Sequence, residues 1–135
     1  MNLKPIFLDT SFVIATINQD DQYHPQSVIL AKKYMHYPLV TTDAILLELG
    51  NALAKRYKKE SLQLFDFLQT SKNVTLIHVN PTRLQKGIDM YQKYQDKTWG
   101  LVDCVSFITM RELEVYDVLT FDKHFTQAGF HILTS

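Results

Sequence analysis

Short apolar runs alternate along this chain with longer segments of helical spacing, and that alternation limits the fold more than any other feature. Pro5 to Leu8, Leu39-Val40-Thr41, Val74 to Val79 and Val118-Leu119-Thr120 are too brief for helices and too apolar for loops. They read as buried strands, with His131-Ile132-Leu133 as a fifth at the edge. The segments between them are helical. One covers Phe12 to Ile17, with Thr10 or Ser11 as its cap. A second runs from Pro25 to about Tyr37, with Val28, Ile29, Ala31, Tyr34 and Met35 as its apolar stripe. Asp43 is suited to cap a third, from Ala44 to about Lys58, with Ile45, Leu46, Leu49, Ala52 and Leu53 at helical spacing. Ser61 starts a fourth, and Pro81 a fifth that reaches about Tyr94 with Leu84, Ile88 and Tyr91 on one face. The sixth spans about Val102 to Leu113. Strand and helix in this order predict an α/β fold, a parallel sheet covered on both faces.

A length of 135 residues fits one domain, 1–135, around one core. The 46% hydrophobic content supports a packed interior, and 21% charged residues are too few for a disordered chain. No apolar stretch is long enough to cross a bilayer. The N-terminal stretch Met1-Asn2-Leu3-Lys4-Pro5-Ile6 lacks an apolar leader and a cleavage site. The lone Cys104 excludes an intramolecular disulfide and suits a reducing cytoplasm. Lys plus Arg equals Asp plus Glu at 14 each, which excludes a globally basic nucleic-acid coat but not a local basic rim.

Four acids stand inside or beside the apolar runs: Asp9, Glu48, Asp103 and Asp122. A lone carboxylate in such a setting is costly to bury. Each has an ordinary explanation when taken singly. Asp9 can cap a strand end, Asp103 can favour a helix start, Glu48 can pair with a base, and Asp122 can begin a turn. As a set they fall where a parallel sheet gathers its ligands, beyond the carboxyl ends of the strands. Convergence without a metal would raise the pKa of at least one of them. A hard divalent cation, Mg²⁺ or Mn²⁺, removes the conflict, and its open positions suit phosphodiester hydrolysis by activated water. Asp96, Asp20, Asp21 and Asp43 read as loop and cap residues.

Thr10, Ser11 and Thr120 are hydroxyl neighbours able to orient a carboxylate or a metal-bound water. Capping is the simpler role for the first two, and strand-end satisfaction is open to the third. Lys55, Arg56, Lys58 and Lys59 form the densest positive cluster. It reads first as a solvated helix end near the negative pole of the helix dipole, and second as a phosphate contact. His124 is two residues from Asp122 and reads as a packing or surface residue. Cys104 has no CxxC partner, and the histidines lack HExxH spacing, so zinc chemistry of those kinds is excluded. There is no glycine-rich phosphate loop and no G-x-S-x-G elbow. Seven Tyr and eight Phe can serve a core, a dimer face or base stacking, with the core as the default.

The ordered set resembles the PIN-domain family, and within it the VapC-like ribonuclease toxins. The residues that carry the resemblance are Phe7-Leu8-Asp9-Thr10-Ser11, the helical Glu48, Asp103 at its helix start, and Leu119-Thr120-Phe121-Asp122-Lys123-His124-Phe125 followed by Ala128-Gly129-Phe130. Gln22-Tyr23-His24-Pro25 is similar to the family's early loop. The resemblance implies a three-layer α/β/α sandwich with about five parallel strands. It implies that Asp9, Glu48, Asp103 and Asp122 hold one or two Mg²⁺ or Mn²⁺ ions, and that single-stranded RNA is cleaved to 5′-phosphate and 3′-hydroxyl ends. It further implies a homodimer and a cognate antitoxin as partner. Two alternatives stay open: a PIN-like adaptor that binds metal or RNA without catalysis, and a Mg²⁺-dependent phosphatase-type hydrolase. Ser11 stands where a haloacid-dehalogenase-type site needs a second Asp.

Overall fold

The computed structural model describes residues 2–135; Met1, the first residue of the stretch expected to lead into the first strand, lies outside the described residues. Five strands form one parallel sheet: β1 (Ile6–Leu8), β2 (Leu39–Thr42), β3 (Val74–Ile77), β4 (Asp117–Leu119) and β5 (His131–Ile132). Their spatial order is β3-β2-β1-β4-β5. Every residue of β1 and β2 is buried, as central parallel strands with helices on both faces require. Register pairs Phe7 with Val40 on one side and with Val118 on the other.

The helices are α1 (Thr10–Ile17), α2 (His24–Tyr34), α3 (Asp43–Leu53), α4 (Lys58–Thr70), α5 (Pro81–Lys93), α6 (Leu101–Glu112) and the short α7 (His124–Gln127). α1 packs on α2 and α3, and α3 on α4; α5 packs on α6, giving the second helical layer. The result is an α/β/α sandwich. Its core joins Phe7, Phe12, Leu30, Leu39, Ile45 and Leu49 to Phe107, Met110 and Phe125. Among the described residues no helix is long and apolar enough to cross a membrane.

Several local expectations are corrected. Asp9 itself occupies the N-cap position of α1, so Thr10 and Ser11 lie inside the helix and cap nothing. Thr42, not Asp43, caps α3: its hydroxyl accepts the Ile45 N–H at 3.2 Å. Asp43 instead accepts the Val79 N–H at 2.9 Å, tying α3 to the segment after β3. α3 ends at Leu53, and a new helix starts at Lys58 rather than at Ser61. On α2 the fully buried residues are Ser27 and Leu30; of the expected stripe Ala31, Tyr34 and Met35 pack against the core, while Ile29 is 55% exposed. On α5 the expected apolar face of Leu84, Ile88 and Tyr91 points outward, and Gly87 and Met90 are buried. Gly87 is required there by close approach, since a Cβ would meet Val105 Cγ2 of α6 at 2.6 Å.

Candidate metal centre

The strand order reverses between β1 and β4, so a crevice opens above the carboxyl ends of these two strands. Asp9 follows β1 directly and Asp122 follows β4 by way of Thr120 and Phe121. The Asp9 N–H donates to Leu119 O at 3.1 Å, which fixes the two strand ends side by side. Glu48 enters from the second turn of α3, and Asp103 from the first turn of α6. Four distant segments thus direct acids toward one sheet edge.

Hydroxyls hold the inner pair. Thr120 Oγ1 donates to Asp9 Oδ2 at 2.7 Å, and Ser11 Oγ donates to the same oxygen at 3.0 Å. Ser11 Oγ also accepts the Phe121 N–H, and Thr120 Oγ1 accepts the Asp122 N–H, each at 3.0 Å. The Thr10 hydroxyl donates to Glu48 Oε1. All three hydroxyls therefore bond to, or between, the acids.

The outer pair is joined by a histidine. His124 Nδ1 lies 2.9 Å from Asp103 Oδ2 and 3.2 Å from Asp122 Oδ1. Both partners are acceptors, so Nδ1 carries the proton. Thr98 Oγ1 sits 3.1 Å from Nε2, and a hydroxyl can serve either charge state of the ring. Asp103 Oδ2 also accepts the Gly100 N–H at 3.0 Å, which anchors the start of α6. His124 is thus not the packing or surface residue expected from the sequence. Asp103, Asp122 and His124 bring one potential ligand atom each within 4.8 Å of one another, a spacing that can hold a metal ion, with the proton displaced if Nδ1 is the ligand; Asp9 and Glu48 lie outside this closest group.

The electrostatics link the two pairs. Asp9 is buried, and its carboxyl is raised to about 6, first by desolvation, with a smaller contribution from the charge of Asp103. Glu48 is raised from its ordinary value, again first by desolvation, then by Asp103 and Asp122. Burial therefore outweighs the repulsion expected from the sequence, although both act in the same direction. Burial also pushes the Cys104 thiol up, which removes it from nucleophilic chemistry at neutral pH. Among the described residues no Lys or Arg forms an ion pair with Asp9, Glu48, Asp103 or Asp122. Oxygen donors in mutual repulsion without a Lys or Arg countercharge fit a hard divalent cation.

Among the described residues the basic cluster forms no ion pair with the four acids. Lys55 and Arg56 follow the end of α3, but Lys58 and Lys59 open α4, at the positive pole of its dipole. The helix-dipole explanation therefore fails for these two lysines. Arg56 pairs with Asp20 at 3.2 Å on the exposed surface.

Comparison with known proteins places the chain in a family. The PIN domain model matches residues 6–131. Over 127 residues the chain is 28% identical to the 23S rRNA-specific endonuclease VapC20 of Mycobacterium tuberculosis, covering 93% of this chain and 95% of that protein. The crystal structure of VapC20, described as a sarcin-ricin loop cleaving toxin, superposes with a TM-score of 0.87 at 24% identity, over 96% of this chain and 99% of that one. FitAcB from Neisseria gonorrhoeae shares the fold at a TM-score of 0.68 and 17% identity, with 96% of each chain covered. With its parallel sheet and its acids gathered at the switch point, the chain belongs to the PIN domain family.

Proposed function

We propose that this protein is a metal-dependent endoribonuclease that cleaves single-stranded RNA, and that it is the toxin of a toxin–antitoxin pair. The observation that carries the first part is the meeting of a buried Asp9 and a partly buried Glu48 with the charges of Asp103 and Asp122, with no Lys or Arg among the described residues paired to any of the four. Asp9, Glu48, Asp103 and Asp122 would hold one or two Mg²⁺ or Mn²⁺ ions. When bound, such an ion supplies an activated water and stabilises negative charge on the phosphodiester. Ser11 and Thr120 fix one oxygen of Asp9, so its rotamer is set before any ligand arrives. Thr10 does the same for Glu48. His124 Nδ1 lies between Asp103 and Asp122 and orients both carboxylates.

The likeness to VapC20 supports RNA as the substrate class and a cognate antitoxin as partner. The proposal extends to a homodimer working in the cytoplasm. Lys55, Lys58 and Lys59 are exposed cations available to the RNA backbone.

The test is cleavage of end-labelled single-stranded RNA. Mg²⁺ or Mn²⁺ is expected to switch cleavage on and EDTA to switch it off, leaving 5′-phosphate ends. Asp9→Asn and Asp103→Asn are expected to lower the rate by roughly 100-fold or more while the far-UV circular dichroism stays native. Cleavage that persists in EDTA would rule out the metal mechanism. Tight metal binding with no cleavage of any RNA would favour an adaptor.

A further inference from the structure

Beside the carboxylates lies a groove of about 380 Å³, lined by Ser11, Ile14, Asp21, Gln22, Tyr23 and Phe121. That volume falls within the roughly 300–1,000 Å³ of small-ligand pockets. Ser11 belongs to both places: its side chain lines the groove and bonds Asp9. Phe121 also connects them, since it immediately precedes Asp122 in the chain.

Three aromatic rings climb from the core into this groove. Phe12, 1% exposed, packs against Phe121 with centroids 6.1 Å apart. Phe121 in turn stacks on Tyr23 at 4.5 Å with only 5° between the planes. Tyr23 remains 39% exposed, so the outermost ring covers one face and presents the other to solvent. Its loop is rigid. The Tyr23 N–H donates to Asp21 Oδ1 at 2.8 Å, the Asp21 N–H to Asn18 O at 3.0 Å, and His24 Nδ1 bonds Ala15 O at 2.7 Å. The basic turn clamps the same loop from outside, through Arg56 to Asp20 at 3.2 Å and the Tyr57 hydroxyl to Asn18 at 3.1 Å.

Resting on the nuclease reading above, we propose that this groove is a nucleobase subsite: an unpaired base of the RNA stacks on Tyr23, with the scissile phosphate toward the carboxylates and a neighbouring phosphate toward the basic turn. A planar π-face between a phosphodiester-hydrolysing centre and a cationic rim matches single-stranded RNA, which is bound by stacking together with backbone charge. Gln22 offers a donor and an acceptor, and Asp21 keeps one free carboxylate oxygen, so the groove can also read a base edge.

The experiment uses the full chain in an Asp103→Asn background, in Mg²⁺, so that RNA is bound but not consumed. The probe is a single-stranded RNA oligonucleotide carrying one 2-aminopurine, scanned through successive positions. Quenching of its emission at one position reports stacking, and titration gives the affinity. Tyr23→Ala is expected to weaken binding by about 10-fold and abolish the quenching, Tyr23→Leu to do the same, and Tyr23→Trp to keep both. Melting midpoints check that each variant folds. Unchanged affinity and quenching in folded Tyr23→Ala and Tyr23→Leu would overturn the subsite and leave the groove to a peptide partner. Cleavage by the protein with Asp103 restored, scored in parallel, reports separately on the nuclease reading. Tyr23-dependent quenching without cleavage upholds the subsite and sinks the nuclease; cleavage with Tyr23-independent binding does the reverse.

Discussion

Asp9 is the most buried of the four acids. It is 5% exposed, is neutralised by no cation, and is raised to about 6 against an ordinary 3.8. The unfolded chain therefore gives up this proton more readily than the folded one. In the metal-free protein the ionised group opposes folding fully above pH about 6, and the penalty fades as the pH falls from about 6 to 3.8 and is absent below that. A shift of this size is on the order of 3 kcal/mol at neutral pH. Asp9→Asn keeps an oxygen to accept from Thr120 and Ser11 but removes the charge. It is expected to raise the melting midpoint of the metal-free protein at pH 7.5 and to lose that advantage near pH 4, as thermal melts across the range would show. An unchanged midpoint at pH 7.5 would mean that the site tolerates the charge. Asp9 was legible in the sequence because its carboxylate closes an apolar run, which is also why it is buried. His124 was not. Its partner Asp103 is 21 residues away along the chain, and a histidine two residues after an acid has no periodic signature. The available signal was local: an Asp shortly after a strand, followed by a one-turn helix whose first residue can fold back on it.

At the level of elements, the strands were legible and the helix faces less so. β1 and β2 are buried on both sides, so their sequences are unbroken apolar runs that admit one interpretation. The break between α3 and α4 was hidden because no Gly or Pro marks Ala54 to Tyr57. α5 misled for a different reason. A helix that packs closely does so through its smallest residue, and Gly87 carries no hydrophobic signal, whereas Leu84, Ile88 and Tyr91 do and face outward. The same geometry sets an expectation for Gly87→Ala. Helix propensity favours Ala by about 1 kcal/mol. The added Cβ would stand 2.6 Å from Val105 Cγ2 and 3.4 Å from the Val105 backbone. Overpacking costs typically about 1–3 kcal/mol, so the net effect is expected to be destabilising in urea melts. Val105→Ala removes the nearest atom, and the double variant should show a favourable coupling of about 1 kcal/mol. Strict additivity would mean that the two helices separate freely and that Gly87 does not set their distance.

The whole molecule places its acids by topology. The chain first builds β1, β2 and β3 outward in one direction, then returns to lay β4 and β5 on the opposite side of β1. That reversal brings residues 9 and 122 to adjacent strand ends, while α3 and α6 carry in residues 48 and 103 from opposite layers. A divalent ion at this crossing would tie together segments spread along nearly the entire chain, so its binding should stabilise the folded chain as one cooperative unit. An ion that binds only the folded state adds about 2.7 kcal/mol at a concentration 100 times its Kd. For a chain of this size that corresponds to a rise in melting midpoint of roughly 8–12 °C. The sign of the pH dependence follows from the raised acids. Asp9 and Glu48 hold their protons to higher pH than free carboxylates, and a proton on either competes with the ion. The midpoint shift produced by Mn²⁺ should therefore be small at pH 5 and grow as the pH rises through about 6 to 7.5. Differential scanning calorimetry at fixed Mn²⁺ across that interval measures it. A shift that is equal at both ends would show the ion binding away from Asp9. Loss of the shift in Asp9→Asn, Glu48→Gln, Asp103→Asn and Asp122→Asn taken singly would show that the four segments act on one site.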